Sequence, residues 1–150
     1  MGKTNHSALR QWLPEYIKRL THYVRFTWTE LPELKNTKNL NQTEQKEEEG
    51  KRFIKQISTT DFLILFDEKG SNQNSKGFAD FLQKHLNAGT KKLVFAVGGP
   101  YGFSEEMYKR AQNKISLSPL TFSHQMVRIF IAEQLYRAFS ILNNEPYHHE

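Results

Sequence analysis

The chain has 150 residues, no cysteine, and a net charge of +5 from 21 Lys and Arg against 16 Asp and Glu. That length predicts one domain over residues 1–150, and the lack of cysteine excludes a disulfide framework, a thiolate metal site and a cysteine nucleophile. No run approaches the ~18 apolar residues of a membrane span, and the start has no apolar stretch of signal-peptide type, so a soluble, cytoplasmic protein with no membrane partner is expected.

In chain order, Leu9, Trp12, Leu13, Tyr16, Ile17 and Leu20 form an amphipathic stripe that predicts a helix over 7–22, kinked at or beginning near Pro14. Tyr23 to Leu31, rich in Val, Phe, Thr and Trp, reads as a strand closed by Pro32. A polar loop over 33–42 leads to a mostly solvated helix over 43–57, whose charge run is a wet face and which docks by Phe53, Ile54 and Ile57. The continuous apolar run Phe62 to Phe66 predicts a strand buried on both faces, ending before Asp67. Phe78, Phe81, Leu82, His85 and Leu86 mark a helix capped by Gly89, and Leu93 to Val97 a second buried strand. Ser104 caps a short helix to about Lys114, Ile115 to Ser118 is a short last strand, and a long helix fills about 122–142 before a polar tail.

Buried strands alternating with helices predict an α/β fold, a mainly parallel sheet with helices on both faces. Ligands of such sheets bind beyond the carboxyl ends of the strands, here the loops after Phe66, Val97 and Ser118. Gly98-Gly99-Pro100-Tyr101-Gly102 has small residues that let backbone close on a ligand, or it is a plain strand-to-helix turn; it matches neither a dinucleotide fingerprint nor a P-loop. His124 and Arg128, at i and i+4 near the start of the last helix, could share a face toward phosphate, or be structural. The broadly apolar last helix suggests burial in the core and against a second subunit. Six histidines show no ligand spacing with a carboxylate, so no metal is expected. Residues 1–43 hold seven basic and three acidic side chains, a bias that suits a polyanionic partner.

Val97-Gly98-Gly99-Pro100-Tyr101-Gly102, the run Leu117-Ser118-Pro119-Leu120-Thr121-Phe122-Ser123-His124-Gln125-Met126-Val127-Arg128, Glu133-Gln134-Leu135-Tyr136-Arg137-Ala138 and Pro146-Tyr147-His148 closely resemble the RlmH group of SPOUT RNA methyltransferases. The resemblance covers nearly the whole chain from Gly2-Lys3. It implies an α/β sheet with a C-terminal trefoil knot, a homodimer, and S-adenosyl-L-methionine-dependent methylation of N3 of a pseudouridine in helix 69 of bacterial 23S rRNA on the assembled 70S ribosome. It implies a cofactor pocket from Phe66, Gly98, Gly99 and Leu117, Ser118, Pro119, Leu120, Thr121 and Phe122. Tyr147 and His148 would act near the incoming base across the dimer interface, His148 as base or base-orienting group; His124 and Arg128 would orient the substrate or contact phosphate. The family begins with a buried strand ending near Val-Gly-Lys, whereas this chain starts at Met1-Gly2-Lys3, so that first strand is expected to be missing. The alternative from another class is a non-catalytic RNA- or ribosome-binding protein derived from this family.

Overall fold

Leu63, Ile64 and Leu65 are completely buried at the start of the central strand, as expected of an apolar run covered on both faces. The computed structural model describes residues 7–148, which form two compact units.

The first unit, Glu30–Asn72 with Lys91–His124, holds the sheet. Its strands β1 (Phe62–Asn72), β2 (Leu93–Val97) and β3 (Asn113–Ser116) lie in the order β2-β1-β3, all parallel. Phe66 lies in register with Val97, the last residue of β2, on one side and with Ile115 of β3 on the other, while β1 itself runs on to Asn72. Two helices cover the Leu63 and Leu65 face: α2 (Gln42–Ile54) through Phe53 and Ile54, with Ile57 beyond its end, and α4 (Glu105–Arg110) through Met107 and Tyr108. Local chemistry starts each helix. Asn41 and Glu44 exchange hydrogen bonds in a capping box, and Ser104 Oγ accepts from the Met107 amide at 3.3 Å. Truncating Leu63 or Leu65 to Ala would cost about 2–5 kcal/mol, since each is completely buried beneath α2 and α4 and would leave a cavity there.

The second unit, residues 7–29, Gln73–Thr90 and 125–148, is helical. α5 (Met126–Leu142) packs against both α1 (Ser7–Leu20) and α3 (Ser75–Asn87). Both α3 and α5 end in Schellman motifs. At α3 the Thr90 amide bonds the His85 carbonyl around left-handed Gly89; at α5 the Glu145 amide bonds the Ser140 carbonyl at 2.9 Å around left-handed Asn144. The second motif reverses the chain, so the polar tail runs back along α5.

The strand expected over 23–31 does not form: residues 25–34 carry neither helix nor strand. Its β-prone side chains find other partners, Tyr23 stacking on Phe139 of α5 at 5.9 Å, and strand propensity is chiefly a packing preference. α1 runs through Pro14, which lies on its exposed side, and Trp12 points outward rather than joining the buried stripe of Leu9, Leu13 and Leu20. β1 continues past Asp67, and α5 begins four residues later than predicted. Gly2-Lys3, with the expected absence of a first strand, lies outside the described residues.

Candidate functional site

Because Phe66, Val97 and Ile115 are in register, the bulge after Phe66 and the segments after β2 and β3 lie at one end of the sheet. After Phe66, β1 slips against β3: both Phe66 and Ser71 oppose Ile115, and residues 67–70 bulge between them. Asp67 holds the bulge, accepting from the Lys69 amide at 2.8 Å and from the Tyr108 hydroxyl at 2.6 Å. Burial, then the Asp67 hydrogen bond, pushes the Tyr108 hydroxyl well above the usual tyrosine range. Gly70 closes the bulge, where a Cβ would lie 2.5–2.7 Å from the backbone of Ile115 and Ser116.

After β2, Gly99 and Gly102 form an antiparallel bridge, with the Gly102 amide on the Gly99 carbonyl at 3.1 Å and Gly102 at φ +81°. A Cβ on Gly98 would crowd the Gly102 backbone at 3.2 Å, and one on Gly99 would lie 2.4 Å from Oε2 of Glu49. Glu49 is 5 % exposed on α2. Its neighbour Gly50 abuts Ser104 so closely that a Cβ would reach 2.2 Å from Oγ.

After β3, the buried Ser116 hydroxyl donates to the Ser118 carbonyl at 3.0 Å, and Ser118 Oγ accepts from the Leu120 amide at 3.0 Å. These two bonds shape the segment. Leu117 and Ser118 are half-buried, while Pro119, Leu120, Thr121 and Phe122 are exposed.

In the helical unit, the returning tail is clasped by α5. Oε1 of Glu133 accepts from Arg137 Nε at 2.9 Å, from Arg137 Nη2 at 2.5 Å and from the Tyr147 hydroxyl at 3.2 Å. The Arg137 guanidinium lies over the Tyr147 ring at 4.8 Å, and Tyr136 meets that ring edge-on at 4.6 Å. Nδ1 of His148 is 3.4 Å from Nη1 of Arg137. Burial opposes the Arg137 charge, but Glu133 outweighs it and raises the guanidinium above its ordinary range. Burial and then a hydrogen bond with Tyr16 push the Tyr147 hydroxyl well up. Among the described residues no group of three or more His, Asp or Glu side chains could hold a metal ion, and no helix is long and apolar enough to cross a membrane.

The model of the family described as "Predicted SPOUT methyltransferase" matches residues 1–148. The chain belongs to the SPOUT methyltransferase family. It is 54% identical over 150 residues to a protein named ribosomal RNA large subunit methyltransferase H from Flavobacterium johnsoniae, covering 100% of this chain and 96% of that one. Proteins of the same name from Christiangramia forsetii and Parabacteroides distasonis are 52% identical over 149 residues and 51% over 150, covering 99% and 100% of this chain and 95% and 96% of theirs.

Within this SPOUT chain the predicted cofactor residues come from three neighbouring strands of one unit: Phe66, inside β1 where its bulge begins, the Gly98 and Gly99 pair after β2, and residues 117–122 after β3. The predicted shared face of His124 and Arg128 is not present. His124 lies in a turn ahead of α5, which begins at Met126, whereas Arg128 is inside the helix and 4 % exposed. Gln125, at the N-cap, gives no capping side chain, so no sequence signal marks that start. Sequence reasoning also missed Glu49, hidden in a charge run, and Glu133 and Arg137 as the clasp of the tail. The available signals were Gly50 inside the charge run of α2, which marks a close approach, and the i, i+4 spacing of Glu133 and Arg137.

Proposed function

We propose that the chain is an S-adenosyl-L-methionine-dependent methyltransferase of N3 of a pseudouridine in helix 69 of bacterial 23S rRNA, acting in the cytoplasm on the assembled 70S ribosome as a homodimer. In this reading the 150 residues work as one SPOUT-type domain with a knotted C-terminal part. The observation that carries it is the register that gathers three backbone-rich segments at one end of the sheet, in a chain of this family. The names of the full-length relatives support ribosomal RNA as the substrate.

The strand-end segments fit the cofactor. Glycine at 98 and 99 lets the loop backbone close against Gly102 and Glu49 where a Cβ would clash, Leu117, Leu120 and Phe122 offer apolar walls, and Ser118, Pro119 and Thr121 present backbone between them. When bound, S-adenosylmethionine supplies an electrophilic methyl on a sulfonium. No covalent enzyme intermediate is needed, in keeping with a chain without cysteine. Pseudouridine N3 would release its proton to solvent as it takes the methyl in line, with S-adenosylhomocysteine leaving, so the protein's task is orientation and charge placement.

Tyr147 and His148 are the proposed base-side groups. A guanidinium only donates, so Nδ1 of His148 accepts from Arg137 and the ring proton sits on Nε2. That supports His148 as a base-orienting donor over a proton acceptor. Tyr147, its hydroxyl held protonated, is suited to stacking and hydrogen bonding. Arg128 and His124 are proposed to orient substrate or contact phosphate, and Arg10, Lys18, Arg19 and Arg25 to supply salt-dependent attraction to RNA.

The test is transfer of labelled methyl from S-adenosylmethionine to 70S ribosomes lacking the modification, with free ribosomal RNA beside it. Incorporation on ribosomes well above free RNA supports the reading. Ribosome binding without incorporation would leave the non-catalytic RNA-binding alternative.

A further inference from the structure

Glu49 is a carboxylate at the glycine loop with a vacant acceptor. It is 5 % exposed, yet its one hydrogen bond is from a neutral group, Gln45 Nε2, to Oε1 at 3.2 Å. Among the described residues Oε2 has no hydrogen bond and Glu49 no ion pair. The cations beside it are engaged elsewhere: Lys51 with Glu48 at 2.6 Å, and Arg52 with the carbonyls of Pro32 and Glu33 at 3.0 and 3.2 Å.

Nor can the carboxylate readily withdraw. Gly50 is pressed onto Ser104, which fixes α2 against the segment after the loop, and Oε2 sits where a side chain on Gly99 would begin. Among the described residues only Trp28 Nε1 is buried without a partner, so the unbonded Oε2 is open to a donor from outside the chain. The arrangement is therefore a prepared acceptor whose donor comes from outside the chain.

We propose that Oε2 of Glu49 accepts a hydrogen bond from the ligand held by the Gly98–Gly102 loop. This rests on the reading that the ligand is S-adenosylmethionine, which carries two suitable kinds of donor, the hydroxyl and amino groups of its nucleoside and its amino-acid ammonium. Glu49 is then a binding residue for the cofactor, contributed by α2 and not by the bulge of β1 or the segments after β2 and β3.

Calorimetric titration of the full chain with S-adenosylmethionine, S-adenosylhomocysteine and 5′-methylthioadenosine tests this, comparing wild type with Glu49→Gln. A charged hydrogen bond predicts that Glu49→Gln weakens S-adenosylmethionine by about tenfold or more. An equal loss for 5′-methylthioadenosine, which lacks the ammonium, assigns the donor to the nucleoside; a loss confined to the other two assigns it to the ammonium. Glu49→Asp, which keeps the charge but withdraws it by one methylene, gives the same readout if Glu49→Gln does not fold. Affinities within twofold of wild type in a folded variant would overturn the inference and leave the cofactor reading standing. Failure of the wild-type chain to bind any of the three would overturn both.

Discussion

Arg137 Nη1 faces Nδ1 of His148 at 3.4 Å, eleven residues on in the chain, because the Schellman motif at Asn144 turns the tail back along α5. The same guanidinium holds Glu133 and covers the Tyr147 ring, so one side chain organises the returning tail through His148.

Arg137 is thus a positioning residue, and its loss is predicted to fall on turnover. Arg137→Met should lower kcat by at least about tenfold, while the Kd for S-adenosylmethionine stays within about threefold. Arg137→Lys, which keeps charge but loses the planar fork, should recover only part of kcat. Steady-state kinetics on ribosomes beside calorimetry separate the two effects; an equal loss in cofactor affinity would contradict the assignment.

For His148 the tautomer makes a distinct prediction. If Nε2–H is the working atom, Glutamine, whose amide nitrogen reaches near that position, should retain more activity than alanine. The order predicted for kcat is wild type, then His148→Gln, then His148→Ala. Equal loss in both variants would favour proton acceptance by the ring instead.

Gly70 tests the bulge that follows Phe66. In Gly70→Ala the new Cβ meets backbone at 2.5–2.7 Å, which a rotamer change cannot relieve. A loss of roughly 1–3 kcal/mol or more is predicted in denaturant unfolding, together with weakened cofactor binding. Tyr108→Phe, which removes the 2.6 Å bond to Asp67, should cost about 1 kcal/mol by the same measurement, below the ~1.5–3 kcal/mol of a fully buried charged hydrogen bond because the pair is partly exposed.

The strands were legible because continuous apolar runs have little choice but burial: Phe62 to Phe66 and Leu93 to Val97 both form strands, and the parallel register followed from their alternation with helices. The segments after β2 and β3 came with that topology, whereas the segment after Phe66 is a bulge within β1 and not the strand end expected there. What periodicity could not reveal was set by contacts distant in sequence. Tyr23 packs on Phe139 instead of pairing in a sheet, Glu49 is buried only because Gly50 brings α2 onto Ser104, and the bulge at 67–70 depends on Tyr108 and Gly70. The start of α5 lacked a cap, and the shared face assigned to His124 and Arg128 was lost with it.

Alkaline pH probes the same contacts. Tyr23, Tyr108 and Tyr147 all titrate above the ordinary tyrosine value, burial being the first cause in each. With folded values raised, the folded state binds more protons than the unfolded state above about pH 10, so stability holds below that pH and falls as it rises further. Denaturant melts at pH 8, 10 and 11 should show this decline, shallower in Tyr108→Phe. A stability independent of pH over that range would contradict the burial of these hydroxyls.

The most direct measurement is nucleoside mass spectrometry of helix 69 from unmodified 70S ribosomes after incubation with the chain and S-adenosylmethionine. The account predicts one added methyl, on N3 of pseudouridine, absent without the cofactor. A methyl on another atom or nucleotide, or none on ribosomes that the chain binds, would contradict it.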